Sequence, residues 1–240
     1  SPKEHMKEIE FSSAKSTFTL FLFLTLMLPL LSRAQQKKAQ KAVPLKGYSE
    51  ASYTVTSGEK YMSTWLVAGP VPVGAGEANP TASDQISFFR EDISPVSVVS
   101  NKAPAPISVK GTEYQWKLVK TTNDVIDLDK EYGGRDFVAA FALAEIKSDK
   151  QTKTFLSVGS DDAIRIWHNG KLIHDNWIPR GVAKDDDLVP ITLQAGNNQI
   201  LLKVQDMQQG WGFVIRLLNK DAVSSQLITA SGDGDIEQVN

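Results

Sequence analysis

The sequence predicts an all-β protein, an antiparallel β-sandwich of jelly-roll type, and three observations carry that prediction. Short apolar runs with period-two alternation recur along most of the chain. Glycine, proline and asparagine punctuate those runs at close intervals. No stretch inside the domain spaces its apolar residues three and four apart over about ten positions, as an amphipathic helix requires.

The elements follow in chain order. Thr64 to Val71 is a short apolar strand, expected to stop at Gly69-Pro70. Residues 72–85 are rich in proline, glycine and alanine and read as a loop. Gln85 to Asp92 reads as one or two helical turns, ended before Pro95. Pro104 and Pro106 mark a further loop. Tyr114, Trp116 and Leu118 alternate, and Val125, Ile126 and Leu128 do so less cleanly. Phe137 to Ile146 sets Ala140, Ala142 and Ala144 on one face and Phe141 and Leu143 on the other, which suits a strand apolar on both sides. Phe155 to Val158 leads into the most informative stretch, Gly159 to Arg180. There Ile164 and Ile166 alternate with Arg165 and Trp167, and Asn169-Gly170 supplies the two positive-φ residues of a tight hairpin. Leu172 and Ile173 resume the apolar run. Val189, Ile191 and Leu193 alternate, Gly196-Asn197-Asn198 turns, and Ile200, Leu202 and Val204 alternate again. Phe213, Ile215 and Leu217 form the last strand, for about eight to ten strands in all.

Outside this domain, Phe18 to Leu31 is apolar apart from two threonines and ends at Ser32-Arg33-Ala34. It falls short of the ~20 residues that span a bilayer, so residues 1–34 read as a secretory signal peptide with a signal helix. An uncleaved membrane anchor is the alternative, and it is the only route to a membrane. Residues 35–47 form a Gln/Ala/Lys linker, 48–220 the sandwich, and 225–240 a separate tail. The expected location is exported, periplasmic or extracellular. The chain has no cysteine, so the core alone holds the fold. A formal charge of −2, with no basic stripe, excludes a nucleic-acid binder.

Four segments together carry a resemblance: TWLVAGPVPV, GSDDAIRIWHNGKLIHDNW, DDDLVPITLQAGNNQILLKVQD and GWGFVIRL. They resemble the N-terminal jelly-roll sandwich of exported bacterial ankyrin-repeat proteins. SDDAIRIWHNGKLI alone resembles the hairpin of carbohydrate-associated sandwiches, among them protective-antigen-like adhesin domains and glycoside-hydrolase accessory modules. Leu227 to Val239 resembles the first helix and loop of an ankyrin repeat, with Ala230, Gly234, Asp235, Ile236 and Val239 at matching positions. One incomplete repeat cannot bury its own face, so the resemblance implies a continuing solenoid that binds a protein partner.

Two functions follow as expectations. The first is a non-catalytic exported interaction protein, its sandwich a cap or spacer ahead of the ankyrin solenoid. The second is a carbohydrate-binding module. In the adhesin domains the adjacent Asp-Asp pair holds calcium that bridges to sugar hydroxyls, and Asp161 and Asp162 match it. The same carboxylates could instead cap turns by accepting backbone N–H groups, and no second ligand loop is identifiable in the sequence. Calcium is therefore the one cofactor considered. Trp167, Trp177 and Trp211 are the candidate stacking platforms, and Arg180 closes the same stretch; inter-sheet packing is the competing role for the tryptophans. Gly210 and Gly212 flank Trp211, which suggests a tight backbone approach. Asp185-Asp186-Asp187 reads as a solvated loop. His168 and His174 read as core or surface residues: there is no G-x-S-x-G elbow, no H-E-x-x-H and no cysteine, so no enzyme is expected.

Overall fold

A computed structural model describes residues 51–54, 61–74, 79–92 and 104–218. The segments expected to be a signal peptide (residues 1–34), a linker (35–47) and the start of an ankyrin repeat (225–240) lie outside the described residues. In chain order the elements are β1 (Ser52–Thr54), β2 (Thr64–Pro72), α1 (Ala82–Arg90), β3 (Ile107–Val109), β4 (Thr112–Tyr114), β5 (Lys117–Lys120), β6 (Ile126–Asp127), α2 (Leu128–Tyr132), β7 (Val138–Ser148), β8 (Thr152–Asp161), β9 (Ala163–His168), β10 (Lys171–Asn176), β11 (Asp187–Leu193), β12 (Gly196–Gln205) and β13 (Gly212–Leu218). The larger sheet runs β10-β9-β12-β7-β2-β5, with β1 added in parallel on β7; the smaller runs β11-β8-β13-β6. Every pairing but β1–β7 is antiparallel, so the all-β sandwich expectation holds.

The two sheets bury the main core between them. Trp65, Ile164, Ile166, Ile200, Leu202 and Val204 face Leu156, Val158, Ile191, Phe213 and Ile215. Trp65 meets Phe213 edge-on with ring centroids 5.2 Å apart. The outer face of the larger sheet is apolar too: Leu66, Phe141, Leu143, Trp167 and Leu201 pack with Phe88 of α1, Ile107 of β3 and Trp116. This is why β7 is apolar on both sides, with Ala140, Ala142 and Ala144 inward between the sheets and Ala139, Phe141 and Leu143 under the outer cover.

The Asn169-Gly170 turn joins β9 to β10 with φ values of +49° and +80°, the left-handed pair the hairpin needs. Two local expectations are corrected. Gly69-Pro70 does not end β2; the strand runs on to Pro72, and the pairing with β7 shifts register between Ala68 and Val71 to absorb the proline. Gly196-Asn197-Asn198 is not a turn but the start of β12, because all three residues pair with β7. Helix α1 begins earlier than its apolar residues suggest. Thr81 and Asp84 form a reciprocal capping box, Thr81 Oγ1 accepting from the Asp84 amide at 3.1 Å and Asp84 Oδ2 from the Thr81 amide at 3.2 Å.

Both open edges on the hairpin side are blunted. β10 carries a register shift between Leu172 and His174, and β11 carries Pro190. A side-chain network joins these edges. Asp187 of β11 takes Arg180 Nη2 at 2.7 Å, His174 Nε2 at 3.0 Å and Asn176 Nδ2 at 3.2 Å. Burial alone would raise the Asp187 carboxyl, but the hydrogen bonds from Arg180, His174 and Asn176 and the Arg180 charge prevail and hold it at about 2.

Candidate functional site

The candidate residues meet at one end of the sandwich, where β8 turns into β9. Asp161 closes β8, and the peptide joining it to Asp162 is cis. Asp162 is 5% exposed, and its two oxygens serve two loops. Oδ1 accepts the Arg180 amide at 2.9 Å and Oδ2 accepts the Met207 amide at 2.7 Å. One carboxylate therefore ties the β10–β11 connection to the β12–β13 connection. Arg180 adds a second tie. Its guanidinium donates to the Ser160 carbonyl at 3.2 Å, to Ser160 Oγ at 3.0 Å and to Asp187. Ser160 Oγ donates to the Asp162 carbonyl at 2.6 Å, closing the corner.

Further carboxylates crowd this corner. Burial, and then the neighbouring Asp162 charge, push Asp161 up to about 6. The same two causes, in the same order, push Asp206 up to about 8, although its Oδ2 accepts the Phe137 amide at 3.0 Å. Asp206 Oδ1 is buried with no hydrogen-bond partner. Neither Asp161 nor Asp206 has an ion-pair partner in the corner among the described residues. The corner thus resists negative charge at Asp161 and Asp206, on either side of Asp162.

Asp161 also lines a cleft of about 520 Å³ together with Asp127, Asp129, Val182, Trp211 and the segment from Thr121 to Asn123. The glycines beside Trp211 shape it. A Cβ on Gly212 would sit 2.7 Å from the Ile126 carbonyl oxygen, and one on Gly210 would overlap the Asp161 carboxylate.

The tryptophans lie elsewhere than at an open platform. Trp167 is 7% exposed on the outer face of the larger sheet, with the Arg165 guanidinium 5.0 Å from its ring centroid. Trp177 is half-buried against Phe89 of α1, ring centroids 5.1 Å apart. Trp211 is buried between the sheets, and its Nε1 donates to the Val204 carbonyl at 3.3 Å. Of the three aspartates at 185–187 only Asp186 is exposed as a solvated run would be. Asp185 pairs with Arg216 at 2.6 Å and also accepts Ser157 Oγ, while Asp187 anchors the edge network. His168 Nε2 contacts Asn198 Oδ1 at 3.0 Å.

The resemblance implies calcium at Asp161 and Asp162. Here each Asp162 oxygen accepts one backbone amide, and among the described residues no group of three histidine, cysteine or carboxylate side chains is gathered where a metal ion could sit.

No family model matches the chain, and no curated protein matches it. Solved structures with some likeness include an anti-sigma factor domain-containing protein, at TM-score 0.36 and 15% identity over 46% of this chain and 39% of that one. They also include the β-glucosidase from Kluyveromyces marxianus in complex with glucose, at TM-score 0.37 and 14% identity over 52% of this chain and 17% of that one. The PA14 domain of the MpAFP antifreeze protein gives TM-score 0.36 and 12% identity over 69% of this chain and 88% of that one. The chain spans under half the length of the first two, and likeness at this level carries no argument about function.

Proposed function

We propose that this chain is a non-catalytic exported interaction protein, in which a jelly-roll sandwich acts as a cap or spacer for a protein-binding ankyrin segment beginning near Leu227. One observation supports the reading above the others: the polar residues of the candidate site are engaged with the protein itself. Both Asp162 oxygens hold backbone amides, and Arg180 is committed to Ser160 and Asp187. Trp167 is buried, so it offers no face on which a sugar ring could stack. Such a corner fixes loops and gives the sandwich a rigid end.

A second reading has its own support in the cleft beside Asp161. Its wall combines carboxylates with backbone near Gly210 and Gly212, and a polyhydroxyl ligand could donate to Asp161 and Asp129 without a metal. A paired experiment separates the two. The purified chain is passed over a glycan array and, separately, used to capture proteins from an envelope extract. The spacer reading expects a captured protein, lost when Ile236 and Val239 are replaced by aspartate, and no glycan signal. Saturable glycan binding that disappears in Asp161→Asn would favour the second reading instead.

A further inference from the structure

We propose that α1 is a proton-controlled cover on the outer face of the larger sheet, seated tightly when the Lys203 side chain is a neutral amine and loosened when it takes a proton. The geometry of the contact carries this. The last carbonyls of a helix have room for further donors. Here neighbouring strands of the sheet beneath add donors to carbonyls of α1 and of Glu91, the residue that caps it. Lys203 Nζ donates to the Phe88 carbonyl and reaches the Glu91 carbonyl at 3.4 Å. Arg165, its register partner on β9, donates to the Arg90 carbonyl at 2.9 Å and the Phe89 carbonyl at 3.4 Å. Two residues along β12, Gln205 Nε2 donates to the Gln85 carbonyl at 3.0 Å.

The two cations are treated differently. Arg165 has carboxylates at hand, Asp175 at 3.0 Å and Asp92 at 3.2 Å. Lys203 is 1% exposed between the rings of Phe88, 4.1 Å away, and Phe141, 5.9 Å away. Among the described residues no carboxylate comes within ion-pair distance of its Nζ. The carbonyls and the ring faces favour the ammonium, but burial without a carboxylate costs the ammonium far more hydration than the neutral amine, and that cost is the larger effect. The charged groups around it are Glu91 and Asp92 after α1, Arg165 on β9 and Lys110 between β3 and β4. Burial is the largest effect; Glu91 and Asp92 oppose it, Arg165 and Lys110 add to it, and together they bring Lys203 down to about 7 from its ordinary 10.5.

The sign follows from linkage. With α1 released, Lys203 regains water and its ordinary proton affinity. Between pH 7 and 10.5 the released form therefore binds more protons than the seated form. Seating strengthens as pH rises through that window and is weakest at and below pH 7. Release would take Phe88 from the outer cluster it shares with Phe141 and Trp167, and Phe89 from Trp177. The surface so revealed is aromatic and apolar, in a protein that presents neither tryptophan openly when α1 is seated.

Millisecond hydrogen exchange on the full chain tests this. In the wild type, protection factors of amides 85–91 should rise about tenfold per pH unit from about 7.5 to 9.5. They should also stay below those of β7, because α1 opens separately. Lys203→Met should keep α1 helical and abolish the slope. Wild-type protection in α1 independent of pH would overturn the proposal, as would equal protection in α1 and β7 or an unchanged slope in Lys203→Met. If the variant fails to fold, carbon-13 NMR of the Lys203 Cε in the wild type decides the matter: a midpoint near neutrality supports the proposal, and one in the ordinary lysine range refutes it.

Discussion

Replacing Asp162 by alanine should destabilise the sandwich more than any other single change at its end. Two buried backbone amides, on Arg180 and Met207, would lose their acceptor. A hydrogen bond to a charged group contributes ~1.5–3 kcal/mol, and a buried donor left without a partner carries its own desolvation cost. Part of that loss is offset. Without the Asp162 charge, Asp161 and Asp206 no longer face a buried carboxylate, and that repulsion is the second cause of the raised proton affinity at both. The net expectation is a loss of ~2–4 kcal/mol. For a domain of roughly 170 residues this lowers Tm by ~5–15 °C. Asp162→Asn keeps one acceptor oxygen and should lose about half as much. Urea unfolding with an unchanged m-value, followed by near-ultraviolet circular dichroism, measures the loss. NMR titration supplies an independent signature: in Asp162→Asn both Asp161 and Asp206 should titrate lower than in the wild type. A Tm for Asp162→Ala within ~1 °C of the wild type would refute the assignment of Asp162 as the anchor of the two loops.

Other outcomes follow from the same structure. Gly170→Val places a β-branched residue at φ +80° and should cost about 1 kcal/mol or more, read from the melting temperature. Gly212→Ala sets a methyl group 2.7 Å from the Ile126 carbonyl oxygen and should cost ~1–3 kcal/mol by urea unfolding, with β6 shifted from β13. Asp206 is raised from 3.8 to about 8, so its contribution favours the folded state at low pH and is lost as pH rises through 8; Asp206→Asn should flatten the fall in unfolding free energy between pH 6 and 8. Asp187 is lowered from 3.8 to about 2, so its contribution is present above pH 3.8 and is lost as pH falls toward 2; Asp187→Asn should remove that part of the acid transition.

The fold was legible where side-chain alternation reports the packing directly. Ala140, Ala142 and Ala144 of β7 face the inter-sheet core, Asn169-Gly170 turns with positive φ, and Val189, Ile191 and Leu193 point inward as their spacing implies. Strands of two to four residues, such as β1, β3, β4 and β6, were not, because so short a run shows no period. The outer cover of the larger sheet was also hidden. Arg165, Lys203 and Gln205 alternate with buried aliphatic residues, which reads as a solvent face, yet all three are buried under α1. They donate to carbonyls of α1, contacts that exist only once α1 has docked. The carboxylates at 185–187 were misjudged for a related reason. The partner of Asp185 is Arg216, brought beside it by the packing of β13 on β8, and local spacing carries no trace of that pairing. At the candidate site the sequence located Asp161, Asp162 and Arg180. It could not show that Met207 and the Arg180 amide occupy Asp162, because both lie in connections without regular pattern.

Asp162 acts here as an internal anchor rather than a ligand for a cation, and calcium titration of thermal stability tests that most directly. Binding to the folded state alone would add RT ln(1 + [L]/Kd), about 2.7 kcal/mol at a hundredfold excess over Kd. The melting temperature should be the same in millimolar calcium as in chelator, while Asp162→Ala melts lower in both. A rise of several degrees with calcium in the wild type, absent when Asp161 and Asp162 are both replaced by asparagine, would contradict it.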